Sequence, residues 1–400
     1  MPDLESVIDE ELAALRVQDL YRQPACLAGA QGPIIRVDGR EFVNFSSNDY
    51  LGLSGHPALR EAAQKAITDF GFGAGASRLI CGSLPPHREF EETLADFKET
   101  EAALLFATGY AAINGVITTL LGRDDVIIVD KLVHASVVDA ARLSGARLRV
   151  FRHNHLADLE KKLTWAVAKH PHSRVLIVTE SVFSMDGDLA PLLNIVELKE
   201  RFGAWLMVDE AHATGLFGER RSGLVEEFGL TERIEIQLVT LGKALGGAGG
   251  AVCGSRNLID LLINRARPFI YSTAPPPAQA AAARAAVELL QSPPGEERRQ
   301  RLWAMVEHLK TALLSAGLAP GVVRSPIVPI IIGTETAALA QFAGLRDQGV
   351  FVPAIRFPTV ARNSARLRFT ITAEHTLEHL AVLSAALNNP APSDESLRQA

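Results

Sequence analysis

Trp205-Leu206-Met207-Val208-Asp209-Glu210-Ala211-His212 passes from a continuous apolar run straight into two acids. An apolar run this short, with no polar alternation, reads as a strand buried on both faces. The runs 102–106, 126–129, 148–151, 175–179, 238–240 and 251–253 have the same character, and helical segments such as 134–143 and 191–202 separate most of them. Strands of this kind interleaved with helices predict an α/β chain whose sheet is largely parallel and covered on both faces.

Such sheets gather ligands beyond the carboxyl ends of their strands. Four runs end there in polar residues or glycines. Thr108-Gly109-Tyr110 follows 102–106, the stretch from Glu180 to Gly187 follows 175–179, Asp209 to His212 follow 205–208, and Leu241-Gly242-Lys243 follows 238–240. Thr108-Gly109-Tyr110 begins a helix, whose free N–H groups suit an anion, although a plain strand–helix turn has the same look. Asp209 emerges from apolar surroundings and needs a cationic or hydrogen-bonded partner to stay ionised. A pyridinium nitrogen would serve, and so would the N–H groups of a following turn. His212, three residues on, can reach the same ligand if that turn is compact. His134 opens a helix, either stacked on a flat ligand or simply as a polar cap. His153 and His155 lie in a charged loop and are expected to be solvated, as are His170 and His172 beside Pro171. No Cys or His spacing supports a metal site.

Lys243 stands between Gly242 and a run of small residues ending at Gly250. A lysine acts as an amine nucleophile near neutrality only when its pKa falls well below about 10.4. The two commonest phosphate-binding explanations fail for it. A Walker A loop needs glycine where Gln237 stands and Ser or Thr where Ala244 stands. A dinucleotide fingerprint fails because Gly247 and Gly249 are followed by Val252.

Composition sets the outer limits. The 400 residues are 48% hydrophobic and 22% charged with net charge −6, which leaves no basic surface for nucleic acid or acidic lipid. Cys26, Cys81 and Cys253 are odd in number and far apart, so neither a disulfide framework nor a zinc site is expected, and a reducing cytoplasm fits. The acidic N-terminus is not a signal peptide, and no stretch approaches the roughly 18–20 apolar residues of a membrane helix. A soluble chain follows from this reading.

The chain opens with an amphipathic helix over 4–15, then an extended stretch over 34–45 broken by an Asp38-Gly39 turn. Prolines at 275–277 and 293–294 precede helices expected at 278–291 and 296–316. The remainder is smaller and mixed, with strands at 327–332, 350–355 and 365–372, helices at 336–348 and 374–388, and antiparallel or mixed pairing. These shifts divide the chain into an N-terminal segment 1–56, a large domain 57–290, a C-terminal α+β domain 291–388 and a disordered tail 389–400.

Four pieces together carry a family resemblance: the stretch from Asn44 to Leu53, Phe183-Ser184-Met185-Asp186-Gly187-Asp188, Asp209-Glu210-Ala211-His212-Ala213-Thr214-Gly215, and Thr240-Leu241-Gly242-Lys243. Over about residues 20–385 the chain resembles the α-oxoamine synthases, pyridoxal-phosphate (PLP) enzymes of fold type I. The resemblance implies a large domain with a mostly parallel seven-stranded sheet and a smaller α+β C-terminal domain. It implies a PLP-dependent acyltransferase that condenses an amino acid with an acyl thioester and releases CO2. The branch it most resembles is that of biotin biosynthesis, joining L-alanine to a pimeloyl thioester carried by coenzyme A or acyl carrier protein. Ala354-Ile355-Arg356-Phe357-Pro358-Thr359-Val360 resembles that branch's C-terminal signature, with Phe357 where proline is usual.

Carried over by motif, Lys243 holds PLP as a Schiff base and takes the α-proton, and Asp209 pairs with the pyridinium. His134 stacks on the ring, while Ser184 and His212 lie near its phenolic oxygen. Gly109, Tyr110 and Thr240 hold the phosphate, and Ser272 and Thr273 reach the phosphate of a neighbouring subunit in a homodimer. Arg368 takes the amino-acid carboxylate, with Asn48, Arg22 and Thr359 as further substrate contacts; no metal is implied. Two other readings stay open: a sibling synthase using glycine or serine with another acyl thioester, and a PLP aminotransferase or lyase. The latter usually places tyrosine where His212 stands and another aromatic ring at His134.

Overall fold

The computed structural model of the chain describes residues 3–388. The tail expected from residue 389 lies outside them. Contacts divide the chain into two compact units. One comprises Leu51–Ser184 and Asp188–Gln300; the other takes the chain up to Tyr50, the short stretch Met185–Gly187, and the chain from Arg301 onward.

The larger unit is built on seven strands: β1 (Ala102–Phe106), β2 (Val126–Asp130), β3 (Arg147–Phe151), β4 (Val175–Glu180), β5 (Trp205–Asp209), β6 (Ile236–Thr240) and β7 (Gly250–Gly254). Their spatial order is β1-β7-β6-β5-β4-β2-β3. Strands β6, β5, β4, β2 and β3 run parallel, while β7 is antiparallel to both its neighbours. Every residue of β1, β2 and β4 is buried, which is why these strands read as unbroken apolar runs. Helix α1 (Gly109–Leu120) and helix α2 (Ala135–Ser144) cover one face, and Ile113, Val116 and Val137 pack with Phe106, Val129 and Leu238 in one core. Burying a side chain of this size contributes about 1.5–3 kcal/mol. The helix expected at 296–316 begins earlier, at Pro293. The first turn of a helix has no intrahelical use for its N–H groups, so prolines fit there.

The smaller unit holds two three-stranded sheets. Ile34–Val37 and Arg40–Asn44 form an antiparallel hairpin, and the Asp38-Gly39 turn takes positive φ at both residues (50° and 78°), as a tight hairpin demands. The strand expected at 350–355 is in fact two. Val350–Phe351 runs parallel to Arg40–Asn44, whereas Ala354–Ile355 joins Ala365–Thr370 in the other sheet. Pro353 lies between them and offers no N–H to continue a ladder. The second sheet is antiparallel, with Ala365–Thr370 central between Ile327–Gly333 and Ala354–Ile355. Among the described residues no helix is long and apolar enough to cross a membrane.

One buried ion pair braces the turn that follows β5. The Lys98 ammonium donates to Glu210 Oε2 at 2.6 Å and to the Ser222 carbonyl at 2.7 Å, and both charged side chains are 0% exposed. Glu210 Oε1 accepts from the Val225 N–H at 3.1 Å. Gly223, at φ 144°, leaves room for this carboxylate: a Cβ there would lie 2.2 Å from Glu210 Oε2. Removing one partner of such a pair leaves a buried charge uncompensated, so Lys98→Met should cost about 3–5 kcal/mol in urea unfolding. A loss below about 1 kcal/mol would show that the pair does not brace the turn.

Candidate active site

The carboxyl ends of β4, β5 and β6 and the N-terminus of α1 enclose a cavity of about 260 Å³. Its lining includes Gly109, Tyr110, His134, Ser184, Asp209, His212, Thr240 and Lys243, all singled out by the sequence. A larger cavity of about 750 Å³ lies elsewhere in the same unit, among Glu99, Trp205, Glu235 and Leu258, and contains none of them. The chemistry is therefore placed by its residues and not by cavity size.

Thr108 caps α1, its hydroxyl accepting from the Ala111 N–H at 3.0 Å. The N–H groups of Gly109 and Tyr110 belong to the first turn, where no helical carbonyl can accept from them. Close approach is what requires glycine here. A Cβ on Gly109 would lie 2.7 Å from Thr240 Cγ2, and one on Gly250 would lie 2.6 Å from the Gly109 nitrogen. The Lys243 ammonium donates to Thr240 Oγ1 at 2.8 Å. His134 caps α2, with Nδ1 bonded to Ser136 Oγ at 2.7 Å. His134 thus caps its helix, one of the two roles expected of it, and it also lines the cavity.

Asp209 and His212 are both buried, and Asp209 Oδ1 accepts from the Ala211 N–H at 2.9 Å. Burial raises the Asp209 carboxyl, against Lys243, the Ala211 N–H and His134, which pull it down. Glu180 stands beside it and was missed as a site residue. Read from sequence it begins a loop; in the structure it is the last residue of β4 and the register partner of Asp209 on β5. Its Oε2 accepts from the Ser184 N–H at 3.1 Å, while its buried Oε1 has no partner. Burial raises this carboxyl strongly and Asp209 adds to the effect, against the backbone N–H groups of Ser184 and His134 and the charge of Lys243.

His153 is not solvated as expected. One ring nitrogen bonds Asp130 Oδ1 at 2.9 Å and the other Asp188 Oδ2 at 2.8 Å, with the ring edge against Phe183. Asn154 reinforces the bridge, its N–H on Asp130 Oδ2 and its amide on Asp188 Oδ2. Phe183 and Asp188 are themselves paired, the Phe183 N–H donating to the Asp188 carbonyl, so the bridge pins both ends of the loop bearing Ser184. His155 caps the helix Leu156–Lys169 instead of lying free in solvent.

The remaining expected residues are not among those lining this cavity. Ser272 and Thr273 are exposed in the same unit, Thr273 bridged to Ser77. Arg22, Asn48, Thr359 and Arg368 belong to the smaller unit. There Arg368 is buried, with both terminal nitrogens 3.1 Å from Asn48 Oδ1 and one 3.4 Å from the Tyr50 hydroxyl. Arg22 donates to the Phe357 carbonyl at 2.5 Å, and the Thr359 N–H to the Arg356 carbonyl at 3.0 Å. Among the described residues no group of three or more His, Cys, Asp or Glu could hold a metal ion.

Residues 40–387 match the family model for class I and II aminotransferases. The chain belongs to that family. It is a fold-type I, PLP-dependent enzyme. Among curated relatives, the 8-amino-7-oxononanoate synthase of Anaeromyxobacter sp. strain K is 46% identical over 391 residues, 97% of each chain. Among solved structures, serine palmitoyltransferase from S. paucimobilis with a bound PLP–myriocin aldimine is 30% identical with a TM-score of 0.90, covering 97% of this chain and 98% of that one. The 8-amino-7-oxononanoate synthase of Francisella tularensis is 28% identical with a TM-score of 0.74, covering 87% and 97%.

The cavity fits PLP. It joins a helix N-terminus closed against Thr240 and Gly250, a lysine, and a buried carboxylate pair with one orphaned oxygen. It is smaller than the ~300–1,000 Å³ of sites for drug-sized ligands, as a compact cofactor requires.

The His153 bridge has a pH signature. Burial alone would lower the ring, but Asp130 and Asp188 outweigh it and push His153 from 6.5 up to about 10. A group raised on folding stabilises fully below its unfolded pKa, so this contribution is complete below pH 6.5 and lost as pH rises through about 10. Relative to His153→Gln, the native chain should lose about 1.5–3 kcal/mol between pH 6 and 10. Parallel pH profiles of the two melting curves would overturn this.

Proposed function

We propose that this chain is an acyltransferase that condenses L-alanine with a pimeloyl thioester, with loss of CO2, to give 8-amino-7-oxononanoate. What carries the substrate assignment is 46% identity to a synthase of that name across 97% of both chains. The chemistry rests on Lys243, Asp209, His134 and His212 around one cavity.

Bound PLP supplies an electron sink for a carbanion at the amino-acid α-carbon. Asp209, ionised and buried, pairs with the ring nitrogen and keeps it protonated. Lys243 anchors the cofactor through its amine and takes the α-proton once substrate displaces it. His134 stacks on the ring, and Ser184 and His212 orient its phenolic oxygen. The N–H groups of Gly109 and Tyr110 and the Thr240 hydroxyl hold the phosphate. In the smaller unit Arg368 takes the alanine carboxylate as a planar fork, with Asn48 fixing its plane and Arg22 and Thr359 as further substrate contacts. A carbon–carbon bond forms between the alanine α-carbon and the acyl carbonyl as the thiolate leaves, the alanine carboxylate departs as CO2, and the proton held by Lys243 returns to the α-carbon.

The active form is a homodimer in this reading, with Ser272 and Thr273 serving the neighbouring subunit's phosphate site. Two observations support it: both residues are exposed and outside their own cavity, and Phe72, Ile80 and Tyr271 are 76%, 79% and 71% exposed. Apolar side chains so open to water mark an interface when they gather on one surface.

A serine-using sibling is the second reading, favoured by the TM-score of 0.90 to serine palmitoyltransferase. One assay decides between them. Offered L-alanine, glycine or L-serine with pimeloyl, acetyl, succinyl and palmitoyl thioesters, the protein should release thiol and CO2 with L-alanine and the pimeloyl thioester. Release only with glycine or serine would overturn the L-alanine reading, and amino transfer without thiol release would remove acyl transfer altogether. The anchor has its own check: after borohydride reduction the cofactor adduct should map to Lys243, and Lys243→Ala should carry none. An adduct on another lysine would displace the assignment.

A further inference from the structure

Glu180 is the one acid of the cavity to which the proposed reaction gives no part, and its surroundings are unusual. Glu180 and Asp209 are register partners on neighbouring parallel strands, so their side chains leave the sheet on the same face. Both are buried, at 3% and 6% exposure, and both line the cavity. Two carboxylates this close in a dry site cannot both ionise cheaply, so the pair is expected to hold one proton.

Its distribution follows from the neighbours. Asp209 accepts from the Ala211 N–H and has Lys243 as its chief cationic neighbour. Glu180 accepts from the Ser184 N–H, its Oε1 has no partner, and the Lys243 charge is the weakest influence on it. Asp209 is the better-compensated anion, and a cationic ring nitrogen would compensate it further. The proton therefore belongs on Glu180. Backbone contacts also make that acid a tie between loops, since the Ser184 N–H donates to its Oε2 and the His134 N–H acts on the same carboxyl group. Ser184 and His134 lie on different loops, and both line the cavity.

We propose that Glu180 is a positioning residue: a neutral carboxylic acid that ties the Ser184 and His134 backbones together at the cofactor ring and, by holding the pair's proton, leaves Asp209 ionised. The groups that bear on its charge are Asp209, the backbone N–H groups of Ser184 and His134, and Lys243. The inference rests on PLP occupying this cavity and is independent of which amino acid or thioester is used, so failure of the substrate assignment leaves it intact.

Full-length Glu180→Gln, Glu180→Ala and Glu180→Leu, each loaded with PLP, test it by equilibrium dialysis, by circular dichroism of the cofactor band and by pH titration of its absorbance. Glutamine is a neutral isostere, so Glu180→Gln should keep PLP affinity within about 2-fold and leave the titration midpoint unmoved. Glu180→Ala and Glu180→Leu should lose affinity about 10-fold and lose most of the cofactor's dichroism, because the two loops no longer hold the ring at one angle. A shifted midpoint in Glu180→Gln would overturn the neutral acid. Native affinity and dichroism in the truncated variants would overturn the positioning role. Should neither truncation fold, the glutamine variant decides alone, since an ionised Glu180 could not become an amide beside Lys243 without moving the titration.

Discussion

Everything in the larger unit turns on keeping carboxylates buried at one edge of a sheet. Asp209, Glu210 and Glu180 sit within two adjacent strand ends, all nearly inaccessible to water. Left alone, each would cost several kcal/mol of desolvation. Glu210 is offset by Lys98, and the Asp209–Glu180 pair by backbone N–H groups and Lys243. The fold thus holds acidity in reserve where a cationic ring can use it. The tight glycine contacts match: a side chain at Gly223 would strike the Glu210 carboxylate, and one at Gly109 would strike Thr240 beside Lys243.

Rigidity is distributed to match. The Ser184 loop is held from inside by Glu180 and from outside by His153, which crosses from Asp130 to Asp188. The turn after β5 is held by a buried ion pair, and His134 by its own helix cap. Asp209, Thr240 and His134 thus sit at ends of strands or helices, whose geometry a packed core fixes, while the loop bearing Ser184 is held by ties of its own.

The sequence displays some of this openly and conceals the rest for definite reasons. Buried strands read as apolar runs, so six of the seven were legible on that ground; β3, Arg-Leu-Arg-Val-Phe with only Phe151 buried, showed a weaker run. The Asp38-Gly39 turn was legible because its chemistry is local. Lys243 and Asp209 stood out because a lysine among glycines and an acid ending an apolar run both break local expectation. Glu180 did not, since its significance comes from its register with Asp209, and lateral neighbours depend on strand order. The bridge at His153 was hidden because its partners are 23 and 35 residues away, and Asn48 and Arg368 meet across 320 residues. Pro293 and Pro294 read as a break ahead of a helix whose first turn they in fact occupy.

The discontinuous smaller unit has a consequence for how the chain is made. Its hairpin over Ile34–Val37 and Arg40–Asn44 leaves the ribosome long before the strand beside it, Val350–Phe351. Arg40 bonds a carbonyl 307 residues further on. Through most of synthesis the hairpin presents an unpaired edge, while the other unit can close once residue 300 has emerged. A newborn chain must therefore keep one early strand out of trouble until its late neighbour arrives, a long wait of the kind that favours misassembly and chaperone attendance.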